Sequence, residues 1–540
     1  MSQRTIASLP AVAVVVLAAA GALASAPALA SGPAAAAEGL AKVNHIVVVM
    51  QENHSFDNYL GALAYVPGSP YHGPRSSRPA PPADAGCDPD DHLCVDGLTC
   101  VPDPSGALAC FDSNLDDDGS TVFAFHAARR CVFPDLDHTW VGTHRELNFM
   151  HPADTLADPR NDGFVRVNDA TEQPDDGGEG PAEDETMAYY DQRDIPLYYA
   201  LAQDFAISDR YFASVPGPTF PNRSYLMAAT SFGHLTTNDT LAPKNGYRPV
   251  NGTIFDLLDA HGVTWANYYQ NVPQGMSFRP FLGAVKDPHF LPLWRFMLQA
   301  AGASSLPPLP QVVFVDPNFG PTGLFPREND EHPPTDIQRG QAFVSRVVNA
   351  VRNGPHWSDT IVLLVYDEHG GFFDHVKPPR APQGGARTPD GVEPGQCADL
   401  SNPPASLLPG GGARCAVNLL SRTDTSVKDA EALCPALSLD PKGPYPGDCP
   451  GFDQLGVRVP FVAISPFARP RYVSHVIADH ASILALIETR FLPAPGGGHL
   501  SLTARDQHAS TLEDLFDFER APSRDTLVGR ALPPADDCTP

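Results

Sequence analysis

Positive charge is scarce in this chain of 540 residues: 36 Lys and Arg stand against 63 Asp and Glu, a formal charge of −27. A deficit of that size argues against nucleic acid or an anionic membrane surface as a standing partner. Long apolar runs are missing after residue 30, so no later stretch has the length to cross a bilayer. The ten cysteines lack paired CxxC elements, which makes zinc a poor reading of them. Internal repeats are absent as well. The length holds two to four average domains or, equally, one large α/β domain with insertions.

What is present begins with the N-terminus. A single early charge, Arg4, precedes an alanine-rich apolar stretch over 11–24 and the small residues Ala28, Leu29 and Ala30. That order predicts a secretory signal peptide over 1–30, cleaved after Ala30 in preference to Ala26. Its apolar core is short for a membrane anchor, and without a twin arginine the expected route is Sec rather than Tat. The expected product is extracellular, has no integral membrane segment after cleavage, and starts with a small-residue linker over 31–42. An even cysteine count fits an oxidising destination. Cys87, Cys94, Cys100, Cys110 and Cys131 lie early, and Cys397, Cys415, Cys434, Cys449 and Cys538 late. Disulfides are therefore expected to staple loop insertions at about 65–120 and 382–456, and the odd number in each group requires an early-to-late bridge or a free thiol. Asn114, Asp116 and Asp118 have the opening spacing of a calcium loop, but Phe125 stands where the closing Glu belongs. A solvated acidic turn is the expectation there. A second acidic stretch, 171–185, reads as a loop.

The chain is organised around the stretch that starts at His45. Residues 46–50 form a continuous apolar run, rich in β-branched residues and too short for a buried helix, and read as a central strand covered on both faces. Polarity inverts at once in Gln51, Glu52, Asn53, His54 and Ser55. The same form recurs over 360–374, where an apolar run leads into Asp367, Glu368 and His369, then Gly370 and Gly371. Ligand groups collect at the ends of buried strands in α/β sheets, so two such turns could supply one cation from two sides. The first also reads as a capped helix start.

Between these turns, Leu197, Ala200, Leu201 and Phe205 mark one face of a helix opened by Pro196. A strand over 206–212, a Pro/Gly turn and helical character over 224–229 follow. Thr219 in that turn is placed to sit at a helix N-terminus with N–H groups facing an anion, or to cap the helix. Helical patterns over 253–260 and 335–351 alternate with strands over 263–268, 311–316 and 360–366. A strand over 457–464 and a helix capped at Asp479 and running to about 490 complete a rhythm that supports repeated β–α units and a parallel sheet.

Three segments carry a family resemblance: ENHSFDNYLG (52–61), SDRYFASVPGPTFPNRSYLMAATS (208–231) and YDEHGGFFDHVKPP (366–379). Together they resemble the signature blocks of the bacterial phosphoesterase family that contains nonspecific phospholipases C and AcpA-type acid phosphatases. The resemblance runs from about residue 43 to about 491. It implies an alkaline phosphatase-like α/β/α sandwich with a large, mostly parallel central sheet, a phosphoesterase domain over 43–495 and a C-terminal extension over 496–540. By the same resemblance Glu52, Asn53, Thr219, Asp367 and Glu368 gather around one divalent metal ion. All five are hard oxygen donors, which points to Ca, Mg or Mn, while related folds often use Zn. Thr219 is then the nucleophile and passes through a phosphothreonine, and Asn222, three residues on, binds a phosphoryl oxygen. His138, in a DPDHSW-like segment, and His332, in DEHPP, match phosphate-contacting histidines, with His289, in DPHF, as a third. His369, His375 and His480 are expected to be supports or caps. His54 stands where Arg is common and Asn58 where His is common, and both are expected at the rim.

The implied substrate is a phosphate ester or phospholipid. A phospholipase C-type phosphodiesterase is nearly tied with an acid phosphatase-type phosphomonoesterase. The chain ends about fifty residues after the helix that DHAS (479–482) opens, without the β-rich C-terminal domains of many phospholipases C of this group, and the resemblance then implies a compact enzyme. A non-catalytic secreted binding protein of the same fold is the rival from another class. Oligomeric state is not legible.

Overall fold

The computed structural model describes residues 39–74, 86–104, 106–133, 135–168, 185–237, 246–280, 287–320, 327–382, 388–401, 425–439, 445–520, 532–535 and 538. The expected signal peptide over 1–30 and all but the last residue of the acidic stretch 171–185 lie outside these residues.

The first apolar run is a strand, β1 (His45–Gln51), with every residue buried. Full burial is what a continuous run of Val and Ile requires, since neither face tolerates water. In the central sheet it is joined by β2 (Ala206–Ser208), β3 (Trp265–Tyr269), β4 (Phe290–Pro292), β5 (Val312–Asp316), β6 (Thr360–Tyr366), β7 (Phe461–Ile464) and β8 (Tyr472–Ser474), in the order β4-β3-β5-β1-β6-β7-β2-β8. Seven strands run one way and β7 runs against them. This is the large, mostly parallel sheet that was expected. A short helix, α1 (Phe56–Leu60), follows β1, and α2 (Trp140–Leu147) comes before the sheet resumes. Helices α3 (Pro196–Asp204), α6 (Leu293–Ala300) and α7 (Ile337–Arg352) pack together, and α4 (Thr219–Ala228), α5 (Ile254–Ala260) and α8 (His480–Phe491) form a second group. The two groups make the outer layers of the sandwich, and one continuous apolar core joins them through the sheet.

Differences from the expected elements have local causes. The strand expected over 206–212 pairs only to Ser208, after which Tyr211 and Phe212 make isolated bridges to Ala478 and Arg458. The last expected strand begins at Phe461, because Pro460 before it has no N–H to give the ladder. Helix α4 starts at Thr219 and not near 224. Pro221 is its third residue, where an N–H has no intrahelical acceptor to lose. The edge strands β4 and β8, three residues each, are too short to carry a readable period.

The cysteines are paired Cys87–Cys94, Cys100–Cys110, Cys434–Cys449 and Cys131–Cys538, Cys397 is also disulfide-bonded, and none of the described cysteines is free. The Cys131–Cys538 bond is an early-to-late bridge, one of the two outcomes that the count allowed. Residues 113–123 form a small antiparallel hairpin whose turn contains Asp116 and Gly119, so the calcium-like spacing belongs to a turn. No described helix is long and apolar enough to cross a membrane.

Candidate active site

Strand register builds the site. Gln51 of β1 pairs with Tyr366 of β6 at the carboxyl edge, so Glu52–Asn53 and Asp367–Glu368 leave the sheet side by side. Alternation sends Tyr366 toward α3, where Tyr198 lies, and Asp367 toward α4, where Arg223 lies. The turns interlock through the backbone: Asp367 N donates to Gln51 O (3.2 Å), His54 N to Glu368 O (3.2 Å) and Glu52 N to Asp330 O (2.8 Å). Asp367 Oδ1 accepts from the N–H groups of Glu368 (2.8 Å) and Asn53 (3.4 Å), and Glu368 Oε2 from that of Gly370 (2.7 Å). Gly370 is obligatory. Its φ is +63°, and a Cβ there would stand 2.5 Å from the Asn53 Cβ.

Arg223 locks α4 onto both turns. Its Nε donates to Asp367 Oδ2 (2.8 Å), its Nη2 lies 3.1 Å from Glu52 Oε1 and 3.1 Å from Gln51 O, and its Nη1 donates to Gln274 (3.0 Å). The guanidinium also stacks 4.9 Å from the Phe319 ring. Thr219, the first residue of α4, sits one turn before Arg223, about 6 Å along the axis. Among the described residues its hydroxyl has no hydrogen-bond partner, and its side chain is half-buried.

The donor set fits a hard divalent cation. Asn53 Oδ1 and Glu368 Oε1 are buried without a hydrogen-bond partner among the described residues, an arrangement that is costly unless a cation completes it. Burial, then the neighbouring Glu52 and Glu368 carboxylates, push Asp367 up to about 7 against the pull of Arg223. Three carboxylates less one guanidinium leave a charge that a single divalent ion offsets.

His138 and His332 come to the same place. His138 Nδ1 is 3.4 Å from the Asn53 amide nitrogen and its Nε2 is 4.0 Å from Glu368 Oε1. The His332 ring lies edge-on to it at 5.8 Å, with Nδ1 donating to Pro333 O (2.6 Å) and Nε2 3.7 Å from Asp135. Burial opposes its charge, but Glu52, Asp135 and Asp330 outweigh that and lift His332 to about 10. His369 braces Glu368, bonding Glu146 (2.7 Å) through Nε2 with Nδ1 3.4 Å from Glu368. His480, held neutral by burial, donates from Nε2 to Asp367 O (2.7 Å). His375 is occupied elsewhere, by Asp57 and Asp96.

Three expectations need correction. Asn222 is not free for a phosphoryl oxygen: its Nδ2 donates to the carbonyls of Val215, Gly217 and Pro218, and its Oδ1 accepts from Val215 N. It ties the Pro/Gly turn to the helix. His289 is not brought to the site. It stacks at 4.0 Å on Trp265 and bonds Asp287. Trp265 is level with Val312 and Ile46, six residues before Glu52, about 20 Å back along the strand. His54 and Asn58 are not rim residues but lie buried beneath the turn, bonded to each other (2.8 Å), with His54 Nε2 donating to Glu331 O (3.1 Å).

Sequence reasoning gave no role to Arg223, Glu146 or Glu331. Arg223 lies within the segment 208–231, and its four-residue spacing from Thr219 was the available signal. The other two had none. Glu331 has φ 76° and accepts from the hydroxyls of Tyr59, Tyr198 and Tyr366, which fastens the loop carrying Asp330 and His332. Burial raises its carboxyl from 4.5 to about 7, with the hydroxyls pulling the other way. Because the folded state holds that proton more tightly, its stabilisation is complete below about pH 4.5 and is lost as pH rises through about 7. Thermal midpoints of wild type should therefore fall relative to Glu331→Gln across that window, by the equivalent of about 3 kcal/mol at most. Parallel curves would contradict the assignment.

The profile described as Phosphoesterase family matches residues 43–492. Non-specific phospholipase C1 of Arabidopsis thaliana is 30% identical over 493 residues, covering 89% of this chain and 72% of that protein. Phospholipase C B of Mycobacterium tuberculosis is 29% identical over 533 residues, covering 93% and 84%. Among solved structures, human ectonucleotide pyrophosphatase / phosphodiesterase 5 overlays 60% of this chain and 94% of its own at 9% identity and TM-score 0.28.

Proposed function

This chain belongs to the phosphoesterase family and is a hydrolase of phosphate esters, and from that premise we propose a secreted, metal-dependent phospholipase C-type phosphodiesterase acting through Thr219. The observation that carries this reading is the joint hold of Arg223 on Glu52 and Asp367, one helical turn from the threonine. Relatives named as phospholipases C across most of the chain favour the diester.

Glu52, Asn53, Thr219, Asp367 and Glu368 would hold one divalent ion, which when bound offsets phosphoryl charge and lowers the pKa of the Thr219 hydroxyl. Thr219 Oγ1 attacks phosphorus, its hydroxyl proton passing to solvent, and the bond from phosphorus to the glycerol oxygen breaks. His332, kept protonated by Glu52, Asp135 and Asp330, delivers its proton to the leaving alkoxide. Diacylglycerol departs, leaving the head-group phosphate esterified to Thr219. Water then attacks this phosphothreonine and gives one proton to His332, the bond from phosphorus to Oγ1 breaks with Thr219 regaining its hydroxyl proton from solvent, and the head-group phosphate departs. His138, beside Asn53 and Glu368, orients the phosphoryl oxygens.

The test pairs p-nitrophenylphosphorylcholine with p-nitrophenyl phosphate, with and without a chelator. Turnover of the diester should fall by at least about 100-fold on metal removal and recover on adding back one divalent ion. Turnover of the monoester alone would replace this reading with a phosphatase, and chelator-insensitive or absent turnover of both would remove the metal or the catalysis. Export is tested separately. The disulfide set is suited to an oxidising compartment, and N-terminal sequencing of the exported protein should begin at Ser31. A start at Met1 would contradict secretion by cleavage.

A further inference from the structure

At the amino edge of the sheet, the end opposite Glu52 and Asp367, two histidines and an aspartate converge. His45 opens β1, while His356 and Asp359 stand at the two ends of the 3-10 turn (Trp357–Asp359) that leads into β6. Register brings them together. His45 pairs with Thr360, and Asn44 N donates to Asp359 O (2.8 Å). The His45 and His356 rings meet edge to face at 4.6 Å, and one ligand atom from each of the three side chains lies within 4.8 Å of the other two. Seven residues of strand, about 23 Å, separate this cluster from Glu52.

The side chains are set for a metal rather than for one another. His45 is buried with Nδ1 2.8 Å from Pro310 O, a group that only accepts, so the proton sits on Nδ1 and Nε2 keeps a lone pair. A carbonyl on the far nitrogen is how metal-binding imidazoles are oriented. Burial, against the pull of that carbonyl, holds His45 below its ordinary 6.5 and so in the neutral form that ligation needs. Asp359 Oδ2 accepts from the Asn44 amide (2.8 Å), but Oδ1 is shut off from solvent and has no hydrogen-bond partner among the described residues. An orphaned carboxylate oxygen beside an imidazole lone pair is unfavourable unless a cation joins them. No described Lys or Arg pairs with Asp359, whereas Arg458 fills the comparable group at Asp57, Asp374 and His375. The frame is rigid: Trp357 is buried in the turn, and Thr360 Oγ1 donates to His356 O (2.6 Å).

We propose that His45, His356 and Asp359 bind one transition-metal ion of the zinc class, through His45 Nε2, one ring nitrogen of His356 and Asp359 Oδ1, with water in the fourth position. Two imidazoles and one carboxylate suit zinc, whereas calcium and magnesium take oxygen sets. The site therefore differs in ligand chemistry, as well as in place, from the five oxygen donors around Thr219, and it stands whatever ester is cleaved there. Ligand atoms of tetrahedral zinc are about 3.3 Å apart, so His356 and Asp359, both half-buried side chains, close on the ion by small movements. The ion ties the start of β1 to the entry of β6, the two strands that carry Glu52 and Asp367 at their other ends. Its role is to stabilise the sheet by mass action.

The experiment titrates the full-length protein with zinc in excess magnesium, wild type beside His356→Ala and Asp359→Asn, and counts bound zinc by elemental analysis after dialysis. Wild type should hold one zinc per chain more than either variant, with a Kd of about 10 μM or tighter, and His356→Ala should weaken that equivalent by about 100-fold or more. Zinc taken up around Thr219 is common to all three proteins and cancels in the difference. The thermal midpoint should rise with zinc more in wild type than in His356→Ala, and without zinc the two should melt together, because the His356 side chain is half-buried. Zinc-edge anomalous diffraction from wild-type crystals, which needs no variant, should place a peak between His45, His356 and Asp359. Equal zinc counts in the three proteins, no peak between these side chains, or binding in millimolar zinc alone, an adventitious ion only, would overturn the proposal.

Discussion

Thr219→Ala is expected to lower kcat on the diester by about 1,000-fold or more, because Thr219 is the first residue of the helix that Arg223 fastens to Glu52 and Asp367 and its hydroxyl is the proposed nucleophile. Four of the five expected metal ligands stay, so bound metal measured after dialysis should remain near wild type. Thermal stability should change little, since the side chain is half-buried and its hydroxyl has no partner among the described residues. Thr219→Ser keeps an oxygen at the same place and is expected to stay within about tenfold of wild type. Acid quenching during turnover should trap a phosphorylated peptide that includes residue 219. An alanine variant within about tenfold of wild type, with no trapped adduct, would remove Thr219 from the mechanism.

The largest effect on stability is expected from Arg458→Ala, a loss of about 3–5 kcal/mol. Arg458 is fully buried, with Nε donating to Asp374 (2.8 Å), Nη2 to Asp57 (3.1 Å) and Nη1 to the carbonyls of Asp96 (2.7 Å) and Asp209 (3.0 Å). His375 adds the second cation, bonding Asp57 and Asp96. Removing the guanidinium strands two buried carboxylates and two carbonyls, and the penalty of the uncompensated charge exceeds what the pair itself contributed. The network also reaches the site. Phe56 N, in the turn from β1 into α1, donates to Arg458 O (3.0 Å), and the guanidinium lies over the Phe56 ring. Lysine should recover only part of the loss, because a point charge cannot serve four acceptors in a plane. The urea midpoint, with the slope checked for constancy, measures it. A loss under about 1 kcal/mol would mean that water takes over those acceptors.

How far the sequence was legible depends on the range of the interaction. The apolar run before Glu52 and the one before Asp367 were readable as strands because burial on both faces demands β-branched residues in succession. The abrupt polarity after each was readable for the same reason. Whether the two turns meet is a matter of register, and register showed itself only in the pairing of Gln51 with Tyr366. Asn222 illustrates the opposite failure. Its spacing from Thr219 on a helix was read correctly, but the turn that folds back on its amide was not, and that turn consumes its hydrogen-bonding capacity. His289 was misplaced because a motif says nothing of position along a strand, and its stacking on Trp265 fixes it far from the carboxyl edge.

The sequence by itself determined the composition of the site and of the sheet: which runs are buried, which turns carry oxygen donors, and that the cysteines leave either a bridge between the two ends of the chain or a free thiol. These follow from local periodicity, residue chemistry and counting. Only the tertiary structure decided that Arg223 binds Glu52 and Asp367 together and that three tyrosine hydroxyls hold the loop of His332. Apart from Tyr366, 35 residues from Glu331, each partner lies more than a hundred residues from the residue it holds. Such contacts are fixed by strand order and packing, which no local pattern records.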